Sequence, residues 1–280
     1  MRIAISAEST IDLPKNLLEE YKISTIPFQV LLGENEYKDG EITPNDIFEF
    51  VKANKILPKT SAINQSQYKE YFENLLKEND AIVHICLSSK LSSTCSNAKA
   101  VASELDNVYV IDSKSLSTGI ALLAIYASKL AMQGVSAEEV YNQTLNQVDN
   151  VQASFIIDKL DYLHKGGRCS AITYFGANLL NIHPQIILQD GAMIVHKKYR
   201  GKLVKLISEY CNDTLNEFNN HNLDIAFITY TTATEDMLNS ARTALKERGF
   251  KTIYETTAGA TITSHCGEQT LGILYLTNSK

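Results

Sequence analysis

Hydroxyl side chains gather in four short stretches of this sequence: Ser9-Thr10, Thr60-Ser61, the run from Ser88 to Thr94, and the run from Ser113 to Thr118. A hydroxyl is a neutral donor, so several converging on one spot can hold a carboxylate, which is costly to bury unpaired. Helix amino termini beside them would add free N–H groups and a partial positive charge. The competing use is helix capping, for which Ser and Thr are individually preferred. No Gly-x-Gly-x-x-Gly and no Walker-type Gly-Lys-Ser/Thr occurs, so these hydroxyls are not expected to cradle a nucleotide.

Three of the four stretches follow β-like runs. Arg2–Ala7 precedes Ser9-Thr10, Ala81–Leu87 precedes the Ser88 run, and Val108–Ile111 precedes the Ser113 run. Helical signals alternate with these strands. Asp12-Leu13-Pro14 offers a cap and a first-turn proline, and Thr43-Pro44 opens a helix through Asn45–Ala53. Ser66–Lys77 carries an apolar stripe of Tyr68, Tyr71, Phe72, Leu75 and Leu76, while Asn97–Leu105 and Gly119–Met132 also read as helices. Ile23–Leu32 reads as a further strand ending at Gly33. This βαβα order predicts a mostly parallel sheet with helices on both faces, whose strand carboxyl ends bring the hydroxyl turns to one edge.

The second half reads as α+β with a mainly antiparallel sheet. Strands are expected at Ser154–Ile157, Ile225–Thr229, Thr252–Tyr254, Ala260–Ser264 and Ile273–Leu276. Ile186–Leu188 and Met193–His196 flank Asp190-Gly191, a hairpin signal. A short helix before Gly166-Gly167 and two long ones, Leu203–Phe218 and Glu235–Arg248, complete the pattern, with Gly249 as a stop. The expected domains are 1–155, α/β, and 156–280, α+β.

Composition narrows the partners. A net charge of −6 over 280 residues does not favour nucleic acid or an anionic membrane. No apolar stretch is long enough to span a bilayer, and the amino terminus meets an acid at Glu8, so no signal peptide is expected. Cys86, Cys95, Cys169, Cys211 and Cys266 are scattered and odd in number, which predicts reduced thiols in a cytoplasmic protein and no metal site.

The order Ser9-Thr10-Ile11-Asp12-Leu13, Ile26-Pro27, Lys59-Thr60-Ser61 and Leu87-Ser88-Ser89-Lys90-Leu91-Ser92 resembles the DegV family. So do Val110-Ile111-Asp112-Ser113, Leu163 to Arg168 and Ser264-His265-Cys266-Gly267. The resemblance implies two domains with a long-chain fatty acid, such as palmitate, between them. It implies that Thr60 and Ser92 hold the carboxylate, with Ser61 and His265 beside them, and that no cofactor or catalysis is involved. It further implies presentation of the acid to a separate fatty acid kinase that makes an acyl phosphate. Departures from the family pattern stand at Glu8, Ala62-Ile63, Ser93 and Cys95, two of them flanking the head-group residues.

Other residues invite chemistry. His265 could donate to the carboxylate, or be a structural histidine bonded to a carbonyl. A hydrolase built on Ser92, His265 and Asp112, or a small-molecule phosphotransferase, is the rival reading, but the Gly-x-Ser-x-Gly elbow is missing. Cys266 is expected to pack in the core, pointing away from His265 on a strand. Arg168 and Arg200 sit where the family resemblance suggests contact with a partner or a phosphate, a task suited to two-pronged guanidinium donors.

Overall fold

The computed structural model describes residues 1–169 and 181–278. The strands of the first half are β1 (Ile3–Glu8), β2 (Ile23–Ile26), β3 (Gln29–Leu32), β4 (Asn35–Lys38), β5 (Lys59–Ser61), β6 (Ala81–Cys86) and β7 (Val108–Asp112). Its helices are α1 (Lys15–Glu20), α2 (Pro44–Asn54), α3 (Gln65–Leu76), α4 (Thr94–Ala102), α5 (Thr118–Met132) and α6 (Ala137–Gln147). Then follow β8 (Val151–Ile156), α7 (Asp161–Gly166), β9 (Ile182–Gln189), β10 (Ala192–Arg200), α8 (Leu203–Glu217) and β11 (His221–Tyr230). The chain closes with α9 (Glu235–Arg248), β12 (Thr252–Thr257), α10 (Ala260–Cys266) and β13 (Leu271–Thr277).

Strands β2-β1-β6-β7 form an all-parallel sheet. Every residue of β6 is buried, the signature of a strand covered on both faces. On one face Tyr68 and Phe72 of α3 meet the His84 ring of β6. On the other lies α5, which also touches β8, β11 and β13 of a second sheet. Its residues Thr118–Ile125 are all buried, so it is apolar around its circumference, as a helix between two sheets must be. Truncating Leu123, which is fully buried, to Ala would cost about 2–5 kcal/mol.

The second sheet has the order β10-β9-β8-β13-β11-β12 and is antiparallel except for β11 against β12. Alternation along β8 divides its faces. Ala153 and Phe155 join the core shared with Ile85 and Ile111, whereas Ile156 packs with Ile207 of α8 and Leu245 of α9. The Asp190-Gly191 hairpin forms as expected, with φ of 48° and 82° at its two turn residues. A small antiparallel sheet, β4-β3-β5, carries Thr60.

Several sequence expectations are corrected. Ile23–Leu32 is two strands in different sheets, because Pro27 has no N–H for the ladder. Asp12 adopts the left-handed conformation (φ 54°) after a 3-10 turn at Ser9–Ile11 and does not cap α1, whose N-cap position is Pro14. Helix α6, capped by Ser136, was not foreseen, nor were β4 and β5. Ala260–Ser264 is the start of helix α10, despite its β-branched Thr261, Ile262 and Thr263. Tertiary capping overrides local propensity there. Asp12 Oδ1 accepts the Gly259 N–H at 2.8 Å and Asp39 Oδ1 accepts the Ala260 N–H at 2.8 Å.

Candidate functional site

Parallel strands β1, β6 and β7 end on one edge, and the turns after them spend most of their hydroxyls locally. Ser9 Oγ donates to Asp39, Ser113 Oγ donates to the Ser115 carbonyl and Ser117 Oγ donates to Asp12. Ser88 Oγ donates to the Gly191 carbonyl at 2.7 Å, pinning its loop to the β9–β10 hairpin. Capping and loop closure therefore account for these groups. Thr60, Ser92 and Ser93 differ, because they line a cavity of about 110 Å³.

Its apolar wall includes Phe28, Leu87, Leu91, Leu116, Met193 and Ile262. Its polar lining includes Thr60, Ser92, Arg168 and His265. Thr60 Oγ1 and His265 Nε2 lie 2.8 Å apart, linking β5 to α10 across 205 positions of sequence. The His265 Nδ1 atom is buried without a partner, and a Cβ built on Gly166 would approach it to 2.7 Å. A buried lone pair is cheaper to orphan than a buried N–H, so the ring's proton is assigned to Nε2, which donates to Thr60. Thr60 then keeps its own hydrogen free for a ligand. Burial, reinforced by the Arg168 charge, pushes the His265 pKa down to about 4, so the ring is neutral at pH 7.

Ser92 Oγ accepts the Thr94 N–H at 3.2 Å, which leaves its hydrogen available too. Arg168, exposed at the mouth, donates through Nη1 to the Gly166 carbonyl at 2.6 Å and through Nε to the Leu91 carbonyl at 3.4 Å. Two hydroxyls with a hydrogen to give and a guanidinium thus line one slot, together with Ser93, the unpartnered Thr261 hydroxyl and the apolar side chains. That arrangement suits a monoanionic head attached to a hydrocarbon.

The remaining expected residues lie elsewhere. Ser61 is exposed and is not among the lining residues, because alternation along β5 turns it away from Thr60. Arg200 is exposed at the end of β10 and does not line the cavity. The hydrolase relay is not assembled. Asp112 accepts the Ser89 and Lys114 N–H groups, while His265 pairs with Thr60 and, among the described residues, not with Ser92 or an acid. Cys266 is buried and its thiol is pushed up to about 12, chiefly by burial, which keeps the sulfur protonated at pH 7. Sequence reasoning missed Gly166 and Ile262 as parts of the site. A helix at residues 260–266 would have placed Ile262 on the cavity side, one turn before His265.

The DegV family model, described as "Uncharacterised protein, DegV family", matches residues 2–278. A protein of Thermotoga maritima named "Fatty acid-binding protein" is 29% identical, covering 97% of this chain and 96% of its own. The structure described as "Fatty Acid Binding of a DegV family Protein from Thermus thermophilus" superimposes with a TM-score of 0.91 at 27% identity, over 99% of this chain and 100% of that one. "DegV, a fatty acid binding protein from Bacillus subtilis" gives a TM-score of 0.85 at 28% identity, over 99% and 100%.

Proposed function

Because the chain belongs to the DegV family, we propose that it binds a long-chain fatty acid with the carboxylate at Thr60 and Ser92 and acts as a carrier, not as an enzyme. The observation that carries this reading is a slot with apolar walls lined by two hydroxyls that each keep a hydrogen to give. His265 orients the Thr60 hydroxyl, and Arg168 adds a positive charge at the mouth. Each methylene buried contributes about 0.8 kcal/mol, so a long tail offers on the order of 10 kcal/mol before association costs. The tail supplies affinity and the head group sets orientation.

The cavity limits how the acid fits. An engineered space of roughly 150 Å³ takes a benzene-sized guest, so about 110 Å³ takes the head group and the first few carbons. The rest of a long chain requires the walls to part, with α10 and the Leu87–Thr94 loop as the segments that flank it. The division into an N-terminal unit, 1–155, and a C-terminal unit, 156–280, belongs to the same proposal.

In this proposal the carrier works in the cytoplasm and hands the acid to a kinase. Arg168 and Arg200, both exposed, are the residues assigned to that contact. None of the described helices is long and apolar enough to cross a membrane.

The test is native mass spectrometry of delipidated protein offered an equimolar series of saturated and unsaturated acids. One long-chain acid per chain, with no hydrolysis of generic esters, supports the carrier. Ester turnover, or no retained acid of any length, defeats it.

A further inference from the structure

A second cluster, remote in chemistry from the cavity, lies under α3 and α4. Ser6 and Glu8 alternate on one face of β1, and His84 and Cys86 alternate on the same face of β6. Strand register sets Ser6 beside His84, and the side chains of Glu8, His84 and Cys86 bring one carboxylate oxygen, one imidazole nitrogen and one sulfur within 4.8 Å of one another. All three residues are fully buried. Cys95, in the first turn of α4, sets a second thiol against Cys86.

Two features of this cluster are anomalous for a plain hydrogen-bonded core. His84 Nε2 is buried without a partner, 3.7 Å from Glu8 Oε1. Glu8 is a carboxylate at 0% exposure with no lysine or arginine pairing among the described residues. Its oxygens accept from Tyr68 Oη at 2.7 Å, Thr94 Oγ1 at 3.3 Å and the Leu87 N–H at 2.8 Å, and the Cys86 thiol also reaches it. Buried charges are ordinarily paired or bound to a metal.

We propose that Glu8, His84 and Cys86 form a binding site for a borderline-soft divalent cation of the zinc type. The donor set of one carboxylate, one imidazole and thiolate sulfur suits Zn²⁺. Ion-to-ligand distances of roughly 2.0–2.3 Å require these side chains to close in on a shared centre from their present spacing. On binding, the Cys86 proton leaves to solvent, His84 ligates through Nε2, and its Nδ1–H donates to Ser6 Oγ, 2.8 Å away. One carboxylate and one thiolate then neutralise the ion's two charges. Tyr68 and Thr94 orient the Glu8 carboxylate from behind. The site would brace both ends of the Leu87–Thr94 loop, which carries Ser92.

The experiment is titration of chelator-stripped full-length protein with Co²⁺, read by visible and near-ultraviolet absorption, then with Zn²⁺ in competition with a chromogenic chelator. We expect one ion per chain, thiolate-to-cobalt charge transfer displaced by Zn²⁺, loss of that band in Cys86→Ser, and at least tenfold weaker binding in His84→Gln. Should those variants misfold, the stoichiometry and charge-transfer band of the wild-type protein decide alone. Absence of cobalt absorption from folded wild-type protein, or a band unchanged in a folded Cys86→Ser variant, would overturn the assignment.

Discussion

Gly166→Ala tests the head-group arrangement without touching any donor. The added Cβ would meet His265 Nδ1 at 2.7 Å, and an ordinary contact starts at 3.4 Å, so the ring must retreat by about 0.7 Å. That shift displaces Nε2 against Thr60 Oγ1 and disturbs the 2.8 Å hydrogen bond that orients the Thr60 hydroxyl. Overpacking of this kind costs about 1–3 kcal/mol. If the strain falls on the bound state, the dissociation constant for a long-chain acid rises roughly 5- to 150-fold. Competition against a fluorescent fatty acid measures it. A cycle with His265→Ala isolates the cause, since removing the ring removes the clash and Gly166→Ala should then be nearly silent in that background. An equal loss in both backgrounds would refute the reasoning, because the effect would then come from α7 itself. So would unchanged acid binding in the single variant.

Removing both hydroxyls in Thr60→Val, Ser92→Ala should weaken acid binding by about 1–3 kcal/mol while barely changing the dependence on tail length, read by calorimetry over an acid series. Within that series each added methylene should tighten binding roughly fourfold, from about 0.8 kcal/mol apiece, until the slot can open no further. Hydrogen exchange at α10 and the Leu87–Thr94 loop should change on adding a long acid but not a short one. For His265 the folded pKa of about 4 lies below the ordinary 6.5, so the unfolded chain takes up a proton that the folded one refuses. This residue's share of stability is therefore full above about pH 6.5 and is lost as pH falls toward 4, by up to about 1.4 kcal/mol per unit, and His265→Asn should flatten that slope in denaturant melts. Gly191→Ala should lower the melting temperature, since φ is 82° and the new Cβ would lie 2.5 Å from Ser88 Oγ. Charge reversal at exposed Arg200 should slow kinase-dependent turnover and leave acid affinity intact.

Periodicity made the large elements legible. The all-buried run Ala81–Cys86, the Asp190-Gly191 hairpin and the α3 stripe were readable because each is decided by neighbours close in sequence. Helix α10 was not, because its start is capped by Asp12 and Asp39, more than two hundred residues away. That error carried into the site. On a strand His265 and Cys266 would face apart, but on α10 both border the cavity. The hydroxyl turns were visible as a class, yet which of them face a ligand depends on partners brought by the fold. Ser117 is claimed by Asp12 and Ser88 by Gly191, while Ser92 and Thr60 keep a hydrogen to give. Thr60 and Ser92 came from family resemblance, as did Ser61, which alternation along β5 turns outward.

A crystal structure of the palmitate complex bears most directly on the central claim. The account predicts carboxylate oxygens within hydrogen-bond reach of Thr60 Oγ1 and Ser92 Oγ, with the chain running past Phe28, Leu116, Met193 and Ile262. A carboxylate bound away from both hydroxyls, or an alkyl chain lying outside this slot, would contradict it.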